Sequence, residues 1–494
     1  MSFYAVLIAS IASLLWLRAH YGVRAMVALA WAYSFILPTM LQIHIFGALV
    51  EIRPAVLLFV VANLIFTGER WLPERWLWID TLAVCLVISQ LISEGVSDHI
   101  GPSAILGYGL DWMLPYLFGR LTLQSLDDMR RLVRAAAYVI VVLCAAAATE
   151  AITRVNPLHL IVAGPAAFHV PSDVRWGMRR AEGPSQHPIS FGMMLVLLMP
   201  WAIEGAAQAR AGRGPRWWRH LPWLNGAAVF FAMSRGPQVA AVICLFGLVC
   251  FRYPAWRLRL ITGLGAAALF LAVGRDYAVN ALHVWSNEDG QHHEHYVING
   301  VSMEYSGTNH RILQLLVYEE AALNAGFFGY GTLALSTTPS TIPFVDPELE
   351  VTFHSIDNHY LCFLLSKGYL GIGLFILLAV SVLCALWRPA MTLDAPQSTL
   401  AAAMFSILVG QMIILTTVWF CFAFGCNWLI LAGMAVSLRQ QFELGGVESP
   451  AAASDGAPHE NLNATPFRTF APARRLVPGH PQIGIDSTGS LTQA

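Results

Sequence analysis

The segment GYLGIGLFILLAVSVLCALW, from Gly368 to Trp387, contains no charged residue, and Arg388 follows it directly. At 1.5 Å of rise per residue, about 20 helical residues cross the ~30 Å hydrocarbon core of a bilayer. Backbone N–H and C=O groups find no partner in lipid tails, so a run of this kind spans as a helix, which pairs them internally. Comparable apolar runs lie near 3–17, 25–43, 54–67, 79–93, 102–120, 135–152, 188–207, 221–234, 237–251, 260–274, 398–420 and 424–438. This pattern predicts an all-α, polytopic integral membrane protein with about 12–14 transmembrane helices.

Composition agrees. Of 494 residues, 56% are hydrophobic and 12% charged, half the ~25% charge share of soluble proteins. That excludes a disordered chain and a disulfide scaffold, and argues against a soluble enzyme. A net charge of −1 points to no nucleic-acid partner. Lys367 is the sole lysine, and the other basic residues are Arg, the better fork for phosphate oxygens. Cys85, Cys144, Cys244, Cys250, Cys362, Cys384, Cys421 and Cys426 lie in or beside apolar runs without any C-x-x-C, and read as small lipid-embedded hydrophobes. The first run, Phe3 to Leu17, lacks a preceding basic residue and a following A-x-A site, so it reads as a retained helix rather than a signal peptide.

Positive charge in short loops sets orientation. Arg130, Arg131 and Arg134 form one basic loop; Arg210, Arg213, Arg216 and Arg219 another; Arg252, Arg257 and Arg259 a third. All face the cytoplasm if the spans alternate, with Arg388 and Arg439 on the same side. The opposite side, the periplasm in a bacterium, then receives residues 153–187, the Ser234-Arg235-Gly236-Pro237 turn and a long polar loop at 275–357. The chain divides into N-terminal helices (1–152), central helices with the Ser-Arg-Gly turn (153–274), the large periplasmic loop (275–357), C-terminal helices (358–438) and a tail (439–494) whose Ala, Pro, Ser and Gly content predicts disorder.

Several devices are absent from the sequence: a P-loop, a G-x-G-x-x-G fingerprint after a strand, a D-x-D, a G-x-S-x-G elbow and an H-E-x-x-H. Chemistry here needs a membrane-delivered substrate. Arg235 sits in a tight turn at the membrane edge, against the positive-inside trend. A guanidinium there wants an anion such as phosphate, unless it merely snorkels to headgroups. Arg311 opens an amphipathic run in which Ile312, Leu315, Leu316 and Glu319 show helical spacing, closing at Gly329-Tyr330-Gly331. A cation in a first helical turn opposes the helix dipole, and a bound anion would relieve that; the plain alternative is a surface Arg. His354, Asp357 and His359 bring two imidazoles and a carboxylate to the water–lipid boundary before Gly368, candidates for general-base work or for capping and hydration. Arg179 and Arg180 precede His187-Pro188 at the head of a span. They extend a phosphate site or pair with Glu182. The His-rich run Asn287 to His295 has ligand types but no rigid support, so no metal site is assigned.

Taken together these segments resemble the O-antigen ligase and polymerase superfamily of bacterial membrane glycosyltransferases. The likeness is carried by an ordered set: Arg-x-x-Gly and His-Pro at 179–188, Ser-Arg-Gly at 234–236, an Arg-led helix ending in Gly-Tyr-Gly at 311–331, and Asp-Asn-His-Tyr-Leu followed by Lys-Gly-Tyr-Leu-Gly-Ile-Gly through 357–373. It implies transfer of an undecaprenyl-pyrophosphate-linked glycan to a glycan or lipid-linked acceptor on the periplasmic face of the inner membrane. It implies no metal, cofactor or nucleotide sugar, and polysaccharide assembly proteins as partners. Arg235 and Arg311 fall where the family holds the donor pyrophosphate, with Arg180 as an extension. The family often reads His-Asn-x-Tyr-Leu where this chain has Asp357-Asn358-His359-Tyr360-Leu361. Either Asp357 is therefore the base, or His354 or His359 substitutes from one turn away. This variant is closer to exopolysaccharide polymerases than to ligases acting on lipid A-core. The rival classes are a lipid-glycan transporter, for which Asp111 is the one clear intramembrane acid, and a non-catalytic assembly subunit.

Overall fold

The computed structural model describes residues 2–69, 73, 75–97, 100–163, 174–273, 294–298, 301–305, 310–336, 342–353, 355–392, 395–420 and 422–445. They belong to one compact unit, Met1–Gly446. Of the tail expected to be disordered over 439–494, the residues through Gly445 continue the last helix, and 446–494 lie outside the described residues.

Helix dominates. In chain order come α1 (Phe3–Tyr21), α2 (Val23–Ile36), β1 (Gln42–Ile45), β2 (Ala48–Glu51), α3 (Ile52–Phe66), α4 (Trp78–Val96) and α5 (Pro102–Tyr108). A π-helical turn, Gly109–Met113, leads into α6 (Leu114–Thr122), then α7 (Leu126–Thr153), α8 (Pro157–Ala163), β3 (Val174–Arg175), β4 (Met178–Arg179) and α9 (Pro188–Arg210). Next are α10 (Leu221–Phe231), α11 (Arg235–Arg252), α12 (Pro254–Val273), β5 (Glu294–Ile298) and β6 (Val301–Tyr305). The remainder is α13 (His310–Val317), α14 (Glu319–Leu323), α15 (Thr332–Ser336), α16 (Pro347–Phe353), α17 (His359–Met391), α18 (Ser398–Ile414) and α19 (Phe422–Gly445). Each apolar run read from the sequence overlaps a helix, but the run at 25–43 leaves α2 at Ile36 and reaches β1, and that at 398–420 leaves its helix at Ile414. Among the described residues six helices are long and apolar enough to cross a membrane: α1, α4, α7, α9, α11 and α17.

The all-α expectation missed three two-stranded antiparallel hairpins. In β1–β2, Gln42 pairs with Glu51 and Ile45 with Ala48. Phe46 (φ 50°) and Gly47 (φ 82°) make a two-residue turn with both φ positive, the form that matches strand twist. Trp176 (φ 49°) and Gly177 (φ 76°) repeat it between β3 and β4.

Contacts sort the helix ends into two sets. At one end Arg24, opening α2, pairs with Asp128, opening α7, at 2.7 Å. Gln441, late in α19, donates to the Leu123 carbonyl after α6 at 2.6 Å. Arg252, ending α11, meets Thr399, opening α18. The Arg-rich loops share this end. At the other end Thr39, after α2, donates to the Pro184 carbonyl at 2.9 Å, and His359 N–H, opening α17, bonds the Leu415 carbonyl after α18 at 2.9 Å.

Helix α9 is apolar on all sides and almost wholly buried, as such a helix must be in a bundle centre. Helices α6 and α19 cross at backbone contact: a Cβ on Gly119 would lie 2.1 Å from the Ile430 carbonyl oxygen, and one on Gly433 2.2 Å from that of Tyr116. Small residues permit such approach between membrane helices. Below this crossing Arg120 and Asp80 form a buried pair at 2.8 Å. Tyr116 also donates to Asp80 at 2.7 Å, and Arg120 to Ser437 at 2.9 Å.

Helix α17 breaks at Gly368 (φ 67°). The break leaves carbonyls and N–H groups unpaired within the helix, and the 326–331 segment takes them up. Tyr330 and Gly331 donate to the carbonyls of Leu365 (2.7 Å) and Ser366 (3.1 Å), while Tyr369 and Leu370 donate to those of Gly326 and Phe327 (both 3.1 Å). Only glycine fits: a Cβ on Gly329 would lie 2.5 Å from Gly368 N, and one on Gly368 2.4 Å from Gly329 N. Lys367 is buried beside the break and bonds Glu94, Tyr108 and Thr332. These contacts tie residues 326–332 to α17 and α4.

Candidate functional site

At the end opposite the Arg-rich loops, a cavity of about 390 Å³ opens between Thr39, Gln42, Leu49 and Glu51 on one side, Ser185 to His187, Ile189 and Ser190 on another, and Ser355, Asp357 and Thr417 to Trp419 on the third. Its size lies within the range of ~300–1,000 Å³ typical of small-molecule sites. The 182–187 wall is fixed from below. Glu150 Oε2 accepts the N–H groups of Glu182 (3.1 Å) and Gly183 (3.0 Å), and Asn156 Nδ2 donates to the Gly183 carbonyl at 2.7 Å. Pro188, with no N–H, starts α9, and the His187 side chain caps it by accepting from Ile189 N–H at 3.3 Å.

Asp357 reaches the cavity through Gln314 of α13. Gln314 is fully buried. Its amide nitrogen donates to the Ser355 carbonyl, and its oxygen accepts the Asp357 N–H at 3.3 Å. The next residue, Asn358, rather than Asp357, caps α17: its side chain accepts from Leu361 N–H at 3.2 Å. The Asp357 carboxylate is thereby left for other work.

Arg311 is the second residue of α13. Its Nε donates to the Thr417 carbonyl at 3.1 Å, on the cavity wall. Burial lowers its pKa, Asp357 attracts the guanidinium and Arg235 repels it. It stays charged at any physiological pH. Arg235 opens α11 behind Ser234, with Met233 at a φ of 47° making the turn. A Cβ on Gly236 would lie 3.0 Å from Ile414, which brings this turn against the end of α18, the element that leads to Thr417. Arg175 of β3 donates to the Met233 carbonyl at 3.1 Å. Two cations from distant stretches, Arg235 and Arg311, and one carboxylate, Asp357, therefore share one electrostatic neighbourhood. His310 stacks on Phe353 at 5.3 Å. Burial holds its imidazole below the usual histidine range; the Asp357 charge opposes that and Arg311 adds to it.

Other residues singled out in the sequence have different surroundings. The His359 imidazole is buried among Phe363 (5.1 Å), Phe375 (4.9 Å) and Phe420 (5.1 Å), off the cavity wall, and its Nε2 has no hydrogen-bond partner among the described residues. Arg180 is buried between β4 and α9 and is not among the cavity-lining residues. Its neighbour Arg179 takes the structural role, 3.3 Å from Glu150 and 3.4 Å from Glu182. His354 lies outside the described residues, as does the His-rich run apart from Glu294 and His295 in β5. No cluster of three or more His, Cys, Asp or Glu suited to a metal occurs among the described residues. On α13 the buried residues are Leu313, Gln314 and Val317, with Leu316 packed beside them. Leu315 and Leu316 also line an apolar groove of about 530 Å³ with Leu361, Leu364 and Tyr369, adjoining Asn358.

Glu51, Gln314 and Arg175 belong to the neighbourhood of the site and stand in no motif. A lone acid between Val50 and Ile52, at the head of an apolar run, was the one available signal for Glu51. No family model matches the chain, and no curated protein matches it.

Proposed function

We propose that this chain is a bacterial inner-membrane glycosyltransferase of the O-antigen ligase and polymerase type, with the cavity end facing the periplasm and about 12–14 spans. The observation that carries the reading is that the Arg235 turn, packed against Ile414, and Arg311, bonded to the Thr417 carbonyl, lie at one end, opposite the Arg-rich loops. Guanidinium groups at a membrane edge suit an anionic headgroup. A lipid pyrophosphate supplies that anion, and a guanidinium fork suits its oxygens.

In this reading the undecaprenyl pyrophosphate donor enters from the bilayer. Its chain lies along the apolar groove beside Asn358, and its pyrophosphate is held by Arg235 and Arg311. An acceptor sugar hydroxyl in the cavity attacks the anomeric carbon. The bond from that carbon to the pyrophosphate breaks, and its electron pair leaves on a phosphate oxygen stabilised by fixed cations. The hydroxyl proton passes to a base on the cavity wall; among the described residues the sequence candidate lining it is Asp357. The Asp-Asn-His-Tyr-Leu variant favours polymerisation of lipid-linked repeats over capping of lipid A-core.

The test is complementation of a deletion strain, with the glycan resolved on gels and the protein quantified in membranes. Wild type restores the ladder; Arg235→Ala and Arg311→Ala each leave single repeats at normal protein level. Full ladders from both variants would defeat the reading. Free polymer beside a bare core in the deletion strain would replace polymerase by ligase.

A further inference from the structure

The cavity has a second acidic wall. Glu51 ends β2 and lines the cavity opposite Asp357. It is 6% exposed, and its Oε2 lies 3.8 Å from Arg53 Nη1. Arg53 is held in turn, its Nε donating to the Leu37 carbonyl at 3.0 Å. Asp111, in the π-helical turn, repels Glu51, and π turns are frequent at functional sites. The lining between the two acids is rich in neutral hydrogen-bonding groups, Thr39, Gln42, Ser185, Gln186 and Ser190, the complement of a hydroxyl-rich sugar.

The two carboxylates differ in their surroundings. Asp357 faces Arg311 and His310, so its charge serves the cations. Glu51 faces Arg53 at a looser distance, with Asp111 from the π turn, and His187 and Asp357 across the cavity. Burial pushes the Glu51 carboxyl above its ordinary range, and Arg53 opposes this. Two acids whose environments differ in this way divide roles in glycosyl chemistry, and a base is most effective when its pKa approaches the working pH.

We infer that Glu51 is the general base of the proposed transfer, while Asp357 positions Arg311. The Glu51 carboxylate accepts the proton of the acceptor hydroxyl as that oxygen bonds to the anomeric carbon; the pyrophosphate departs with the electron pair, and Glu51 returns its proton to water. This rests on the glycosyltransferase reading above and adds the residue that activates the acceptor.

The experiment uses the full chain in nanodiscs, lipid-linked repeats extracted from the deletion strain, and undecaprenyl pyrophosphate as the binding probe. Glu51→Gln is expected to lower kcat by about 10²–10⁴-fold with probe affinity within threefold of wild type. Asp357→Asn is expected to weaken the probe. Glu51→Asp keeps the charge near Arg53. It should retain part of the rate with the acidic limb of the pH profile displaced, and it decides the matter if Glu51→Gln fails to fold. A Glu51→Gln enzyme within tenfold of wild-type kcat, or a Glu51→Asp enzyme with wild-type rate and pH profile, would overturn the assignment while leaving the transferase intact. A wild-type protein that binds and turns over no lipid-linked glycan would remove the transferase reading and Glu51's role with it.

Discussion

Asp357 and His359 are separated by a single residue, yet one lines the cavity and the other is enclosed by aromatic rings. Composition brought both to the membrane boundary. Which one reaches the cavity depends on the Gln314 contact and the Asn358 cap, long-range and local details with no periodic signature. His359→Phe, which preserves ring packing, is expected to leave glycan transfer within about tenfold by gel ladder; a loss equal to that of Arg311→Ala would contradict this placement. His310 gives a pH test. Burial lowers its folded pKa, so the unfolded chain binds a proton that the folded chain resists. Stability is then complete above the ordinary histidine value of about 6.5 and declines as pH falls through it. His310→Gln should flatten that decline, read as the unfolding midpoint at about pH 5.5 against about 7.5. An unchanged slope would refute it.

Among the elements, the long helices were readable because about 20 apolar residues in a row have few alternatives. The hairpins were not. Strands as short as Gln42–Ile45 hold too few residues for a two-residue period to show, and Phe-Gly and Trp-Gly are unusual occupants of their turns. The Gly329-Tyr330-Gly331 and Lys367-Gly368-Tyr369 stretches stood out as motifs, but their mutual docking did not. It is made of backbone hydrogen bonds, which leave no side-chain pattern in a sequence. Gly368→Ala forces a side chain into a positive φ, a strain of about 1–3 kcal/mol, besides the overlap with Gly329. The unfolding temperature in detergent should drop by several degrees and the 310–336 segment become protease-sensitive. Wild-type stability in this variant would show that the break does not hold the segment.

For the whole molecule, the Arg loops gave an orientation before any contact was known, and the sorting of helix ends follows the same division. Ser355, exposed beside the cavity, and Arg213, exposed among the basic loops, lie at opposite ends. A membrane-impermeant maleimide should label Ser355→Cys in intact spheroplasts, and Arg213→Cys only after the membrane is opened. The reverse pattern would invert the topology. The site was less legible than the fold: Arg235 stood out by its breach of the charge trend and Arg311 by its place in a first helical turn, whereas Glu51 emerged only once a cavity was seen to reach it.

In the proposed reading Arg235 and Arg311 jointly grip a lipid pyrophosphate, and the affinity of purified protein in nanodiscs for undecaprenyl pyrophosphate reports that grip. Each of Arg235→Ala and Arg311→Ala should weaken binding at least tenfold, as the loss of a charge-assisted hydrogen bond of about 1.5–3 kcal/mol requires, and the double variant should fall short of the sum of the two. Wild-type affinity in either single variant would contradict the claim.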